Sequence, residues 1–378
     1  MSTPTATRLR AGDASVTVLS TTSAFVTSWA LRYFGPWWNA APVRVEDICA
    51  GPLVTANVDA QAYDDLARRV TTVPHDEATY ARARLLLARD DTGTITAVSP
   101  AEHLAYRSEP CAGRLVVHGE APEPVALAAA RLAREMIRAA LLRDGWTLLH
   151  ASAVAHDGQV LLSFGSKGAG KTTAALLLAA HGHRLLANDR VFVKSVGADV
   201  RVLPWPAAAA VGLGLLDALG LYDVVRERLR AGERLHPTQH PEVTAALLAG
   251  RREPLWEPDG RRERKVQVFP DQFPDWFGME LATGGRVAAL LFPRIDPAAA
   301  PALTDGDRTL GEPDFMSGST EDRYPDAFGL ARGLDPAGGD VARAAVAERL
   351  AVLPHRQVVL GHDSAANAAF LTKVADEL

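Results

Sequence analysis

The chain has 378 residues, 48% hydrophobic and 22% charged, enough for two ordinary domains with buried cores and unlike a disordered or low-complexity protein. Forty basic against forty-five acidic side chains leave a net charge of −5, so nothing electrostatic argues for a nucleic-acid partner. Apolar runs are broken by charge or proline well short of the roughly 18 residues a membrane span needs, and the opening residues lack a secretory apolar core, so no membrane partner is expected.

The first hundred or so residues read as short strands: Ser15–Ser20, Gly51–Asp59, Ala81–Ala88, Thr94–Val98 behind the Asp90-Asp91-Thr92-Gly93 turn, and Arg114–His118. Among them lies an aromatic segment, Phe25–Trp38, read as a core helix ending at Gly35-Pro36, with a partner or substrate groove as the alternative. Cys49 and Cys111 are too few for a disulfide framework and too isolated for zinc, which suggests a reducing, cytoplasmic setting. Glu120–Pro124 reads as a boundary, dividing an N-terminal α+β domain (1–122) from a nucleotide-binding domain (123–378).

Beyond it, Val125–Arg143 has helical periodicity, followed by strands Trp146–Ala155 and Val160–Phe164, a helix Thr172–His181 and a strand Arg184–Lys194. His181-Gly182-His183 suits a helix end better than a metal site. Pro204–Gly220 reads as loop plus helix, and Pro254–Lys265 and Asp296–Asp326 as long irregular segments. Asp340–Leu350 and Ala365–Leu378 read as closing helices, the second capped by Asp363 or Ser364.

The loop between strand and helix carries the chemistry. Gly165-Ser166-Lys167-Gly168-Ala169-Gly170-Lys171-Thr172 fits G-x-x-x-x-G-K-[ST] at every fixed position. Glycines let backbone N–H groups wrap phosphate oxygens, and the following helix adds unpaired donors and a positive dipole end. Lys171 brings a compact charge to the β- and γ-phosphates; the Thr172 hydroxyl suits Mg²⁺, and Thr173 joins the binding residues. Only five of the forty basic residues are lysine, and Lys167 and Lys171 are two of them. Asp189 at the end of the next strand is expected to hold metal or take the acceptor's proton, with Arg190 on developing charge or in an ordinary salt bridge, and His150 assisting the transfer.

The run Leu148–Val193 resembles the C-terminal catalytic domain of the HPr serine kinase/phosphorylase family, in the order His150, Gly165–Thr172, an amphipathic helix, and Gly182-His183-Arg184-Leu185 leading to Asn188-Asp189. The resemblance implies an α/β fold with a P-loop core akin to phosphoenolpyruvate carboxykinase, ATP and Mg²⁺ as cofactors, and a homo-oligomer; the smaller N-terminal α+β domain does not match that of the bacterial carrier-protein kinase, which argues against the carrier protein as substrate. It also implies phosphorylation of a hydroxyl, on a peptide or small-molecule acceptor in the tailoring-type relatives. The family usually has two adjacent aspartates, the first assigned as proton acceptor; here Asn188 stands in that place, and an amide is no base. A small residue is usual where this chain has Lys167. Two alternatives follow: ATP-dependent activation of a carboxylate, which has no proton to remove, or a regulatory nucleotide-binding protein using Phe25–Trp38 as contact surface. Arg262, Lys265 and Arg294 are candidates for further phosphate contacts.

Overall fold

The computed structural model describes residues 5–48, 50–306, 308–316 and 325–378; Cys49 and part of the Asp296–Asp326 segment lie outside them. The chain divides into two compact units, Met1–Thr147 with Met316–Asp340, and Leu148–Phe315 with Val341–Leu378.

The first unit is built on β1 (Thr5–Ala11), β2 (Ala14–Ser20), β3 (Ala41–Val43), β4 (Leu53–Val58), β5 (Asp76–Tyr80), β6 (Ala83–Arg89), β7 (Ile95–Ser99), β8 (Leu104–Glu109) and β9 (Arg114–Gly119). They form one sheet in the order β3-β1-β2-β4-β9-β8-β7-β6-β5, parallel at β2–β4 and β4–β9 and antiparallel elsewhere. Helices α1 (Ala24–Trp38) and α3 (Pro122–Arg143) pack beside each other, α1 on β1 and β2 and α3 on β2, β4 and β9. Helix α2 (Ala60–Thr71) covers β6 to β9, burying Tyr63 and Val70 against Leu86, Val98 and Ala105.

Two expectations are corrected here. Helix α1 runs through Gly35-Pro36 to Trp38 and is closed by Asn39 in the left-handed conformation. Proline removes one backbone donor, but the last turn is held by Trp37 and Trp38, exposed 1% and 0%, with Trp38 stacked on Phe34 at 5.3 Å. Of the six rings in this segment only Phe25 is exposed, so the segment is core and not a contact surface. The proline-rich stretch before Val125 starts a helix and ends no domain. Because α3 buries its long apolar face in the first unit, the division falls after Thr147 and not after 122.

The second unit begins with β10 (Thr147–Leu149), β11 (Ser152–His156), β12 (Gln159–Ser163), α4 (Lys171–Ala180), β13 (Arg184–Ala187), β14 (Val191–Val196), β15 (Asp199–Pro204) and β16 (Ala209–Val211). It continues through α5 (Leu213–Ala218), α6 (Tyr222–Arg230), α7 (Pro241–Ala249), β17 (Leu255–Trp256), β18 (Glu263–Arg264), β19 (Val266–Val268) and α8 (Gln272–Phe277). It ends with β20 (Gly285–Ile295), β21 (Ala302–Thr304), α9 (Asp340–Ala351), β22 (His355–Leu360) and α10 (Ser364–Asp376), the last capped by Asp363.

Its main sheet runs β10-β14-β15-β20-β12-β11-β13, with β22 pairing β20 and β21. Strand β12 is parallel to β20 and β20 to β22, whereas β11 is antiparallel to both β12 and β13. Strands β12, β13, β20 and β22 therefore share one direction and deliver their carboxyl ends to one edge. Helix α4 lies across β11 to β13, with α10 beside it, because six of its ten residues are alanine or leucine turned inward.

Two long expected strands are each broken in two. The first divides at His150-Ala151, where the His150 amide donates to the Asp314 carbonyl, drawing the chain out of the ladder. The second divides at Asn188–Arg190, between β13 and β14. The 254–265 segment, expected to be irregular, forms the small β17–β18 hairpin.

Candidate functional site

The glycine-rich loop joins the end of β12 to the start of α4 at the edge where the parallel strands end. It needs glycine where the backbone turns left-handed under neighbours. Gly165 has φ +154 and Gly170 φ +103; a Cβ would stand 2.7 Å from the Ala169 Cβ at the first and 2.8 Å from the Ile295 Cδ1 at the second. Ser166, Lys167 and Gly168 form the exposed crest, while Gly170 and Lys171 are buried at the helix start. The Lys171 ammonium folds back over the loop and donates to the Gly165 carbonyl at 2.6 Å and the Ser166 carbonyl at 3.3 Å. Burial lowers its pKa; Asp189 and Asp314 oppose that, while Arg308 and Lys265 add to it.

The break between β13 and β14 brings a second group to the loop. The Asn188 carbonyl accepts from the Thr172 hydroxyl at 3.3 Å and from the Ser152 hydroxyl at 2.8 Å, tying the helix start to both strand breaks. Asn188 itself is buried. Beside it, one Asp189 oxygen lies 3.2 Å from the His150 Nε2 and the other 3.2 Å from the Arg190 Nε. Burial raises the Asp189 carboxyl, but the His150 hydrogen bond and the Arg190 and His150 charges outweigh it and hold the group at about 2. Arg190 in turn lies over the Trp205 ring at 5.6 Å.

His150, Lys171, Thr172, Asn188 and Asp189, all singled out from sequence, thus adjoin one another. Of the further cations, Lys265 lies 3.9 Å from Glu263 and is close enough to depress Lys171. Burial raises the pKa of Glu263, and Lys265 and Lys167 oppose that. Arg294 pairs with Asp296 at 3.6 Å on the surface, and Arg262 is exposed. His181 and His183 do not converge on the loop: His181 Nδ1 lies 2.8 Å from the Leu177 carbonyl at the helix end, and His183 packs against the His156 ring at 5.2 Å.

Sequence reasoning missed Arg308 and Asp314. Asp314 is 5% exposed; one of its oxygens accepts from Arg308 Nη2 at 2.6 Å, the other from the Gly311 amide at 3.0 Å. No motif marks either residue, and both stand in the segment read as irregular; only the fold brings the Asp314 carbonyl to the His150 amide, with Arg308 on the Asp314 side chain.

Hard oxygen donors are present in the Thr172 hydroxyl and the Asp189 carboxylate, a set that suits Mg²⁺ carried in on phosphate oxygens. Among the described residues no three His, Cys, Asp or Glu side chains gather as a protein-only metal site. Nor is any described helix long and apolar enough to cross a membrane.

No family model matches the chain, and no curated protein matches it either. Among solved structures it is similar to the HPr(Ser) kinase/phosphatase from Coxiella burnetii, at a TM-score of 0.22 and 13% identity over 40% of this chain. The match spans 60% of that protein's length. The supported architecture is a mixed α/β fold with two large mixed sheets.

Proposed function

We propose that this chain is an ATP-dependent phosphotransferase of the HPr-kinase-like, P-loop class, acting on a hydroxyl of a peptide or small metabolite. The observation that carries the reading is the junction of an intact G-x-x-x-x-G-K-T loop with Asp189 and His150, made through the Thr172–Asn188 contact at the ends of parallel strands.

In this reading the loop amides and the α4 start hold the phosphate chain, and Lys171 exchanges its two carbonyl acceptors for phosphate oxygens. Thr172 and Asp189 would hold Mg²⁺, which neutralises charge on the phosphates. The acceptor oxygen bonds to the γ-phosphorus as the bond to the bridging oxygen breaks; ADP leaves with that electron pair, and the hydroxyl proton passes to the Asp189–His150 pair or to water. Asn188, an amide, takes no part in that proton transfer.

A second reading draws on Asp189 itself. A carboxyl held at about 2 is a weak base, which suits an acceptor with no proton to give up, such as a carboxylate activated as an acyl phosphate.

The test incubates the protein with γ-labelled Mg·ATP and pools of candidate acceptors, alongside Lys171→Ala and Asp189→Ala. Acceptor labelling by the wild type and its loss in both variants is expected; label transfer that persists in both refutes the reading. Neutral hydroxylamine separates the two acceptor classes, because it cleaves an acyl phosphate and leaves a phosphate ester intact. If a missing carboxylate limits a hydroxyl-directed reaction, Asn188→Asp raises turnover. Nucleotide binding without any transfer makes the chain a regulatory nucleotide-binding protein instead.

A further inference from the structure

The segment between β21 and α9 delivers an arginine that the phosphate-binding reading leaves unused. Arg308 is fixed from two sides. Its Nη2 donates to the buried Asp314 carboxylate at 2.6 Å, and its guanidinium carbon lies 4.7 Å from the Phe292 ring centroid. Phe292 belongs to β20, the parallel neighbour of β12, and its ring lies 6.0 Å from that of Phe164, the residue before the loop. Asp314 in turn accepts the His150 amide on its main-chain carbonyl at 2.8 Å, and His150 meets Asp189 at 3.2 Å. Arg308, Asp314, His150 and Asp189 therefore form one continuous chain of contacts.

Something in this arrangement is unfinished. Arg308 Nη1 is buried and has no hydrogen-bond partner among the described residues. Leaving a buried donor unmade is costly, more so on a cation. Asp314 takes only Nη2 of the guanidinium, and its second oxygen accepts the Gly311 amide. The side chain as a whole is 34% exposed, so a ligand can approach Arg308, and meeting Nη1 requires the guanidinium to turn about its contact with Asp314. Its charge is also felt at the loop, where it helps depress Lys171.

We propose that Arg308, aimed by Asp314, is the second phosphate-binding cation of this site and contacts the terminal phosphate of a nucleoside triphosphate. The proposal rests on the nucleotide reading above and adds a residue to it. A guanidinium is suited to the task in a way a lysine is not: one edge of its planar fork stays on Asp314 while the other donors meet a phosphate oxygen. The terminal phosphate is assigned because the contact chain from Arg308 runs to His150 and Asp189, the groups at the transfer end. Asp314 is a positioning residue, since its oxygens face Arg308 and the backbone.

The test measures binding of Mg·ATP and Mg·ADP by calorimetry on the full chain, as wild type, Arg308→Ala, Arg308→Gln, Asp314→Asn and Lys171→Ala. One charge-assisted bond is worth enough that Arg308→Ala should weaken Mg·ATP roughly 10- to 100-fold and leave Mg·ADP nearly unchanged. Arg308→Gln keeps a donor for Asp314 and loses the charge, so it preserves the fold if the alanine variant does not and should show the same selective loss. Asp314→Asn should lose part of the ATP preference. If Arg308→Gln keeps the wild-type ratio of ATP to ADP affinity while Lys171→Ala loses nucleotide, Arg308 is only a structural residue and the inference fails alone. If the wild type binds neither nucleotide, the nucleotide reading fails and takes the inference with it.

Discussion

Replacing Gly170 by alanine tests whether the loop geometry is built by glycine or merely tolerates it. At φ +103 an alanine pays a left-handed backbone penalty of roughly 1–2 kcal/mol. Its Cβ would also lie 2.8 Å from the Ile295 Cδ1 and 3.1 Å from the Cγ1, forcing that side chain aside. Crowding of this kind typically costs about 1–3 kcal/mol, so the total is roughly 2–5 kcal/mol out of a typical 5–15. The two parts separate by a double mutant. Ile295→Val removes the nearer atom and should return about 1 kcal/mol in the Gly170→Ala background, leaving the backbone part. Urea unfolding, followed by circular dichroism and tryptophan fluorescence, reads both quantities. A Gly170→Ala protein within about 0.5 kcal/mol of wild type, or one indifferent to Ile295→Val, refutes the account.

Asp189 sets a pH dependence. Its folded pKa near 2 lies below the ordinary 3.8, so its contribution is fully present above about pH 5 and is lost as pH falls through 2. The stability gap between wild type and Asp189→Asn should accordingly be widest near neutrality and close toward pH 2; a gap that does not change with pH contradicts the His150 and Arg190 pairing. In the first unit, Trp38→Ala removes a fully buried ring stacked on Phe34 and should cost about 3–5 kcal/mol in urea unfolding; a loss below about 1 kcal/mol would mean the ring is not core.

Much of the architecture was legible because its signals are local. The Asp90–Gly93 turn announces β7, and the alternation in Arg114–His118 announces β9. The strand–loop–helix junction at 165–172 is legible because its glycines stand at fixed spacing, where the backbone must turn left-handed. Long-range effects were not legible. Gly35-Pro36 reads as a helix end until the burial of Trp37 and Trp38 is known. Arg184–Lys194 reads as one strand until the Asn188 carbonyl is seen serving two hydroxyls from elsewhere. Asp314 reaches His150 from more than 150 positions away and carries Arg308 with it, beyond the range of any spacing rule.

The interleaving of the two units bears on how the protein is made. The first unit holds Phe328, whose ring packs against Tyr80 and Tyr106 and whose carbonyl takes the Ser108 hydroxyl. That ring leaves the ribosome only after the glycine loop and most of the second unit. The second unit in turn waits for β22, which lines β20 after the chain has returned from the first. Neither unit can be completed before the other is mostly synthesised, so no single cut yields an intact half, and expression of residues 1–147 alone would leave the Tyr80–Tyr106 surface bare.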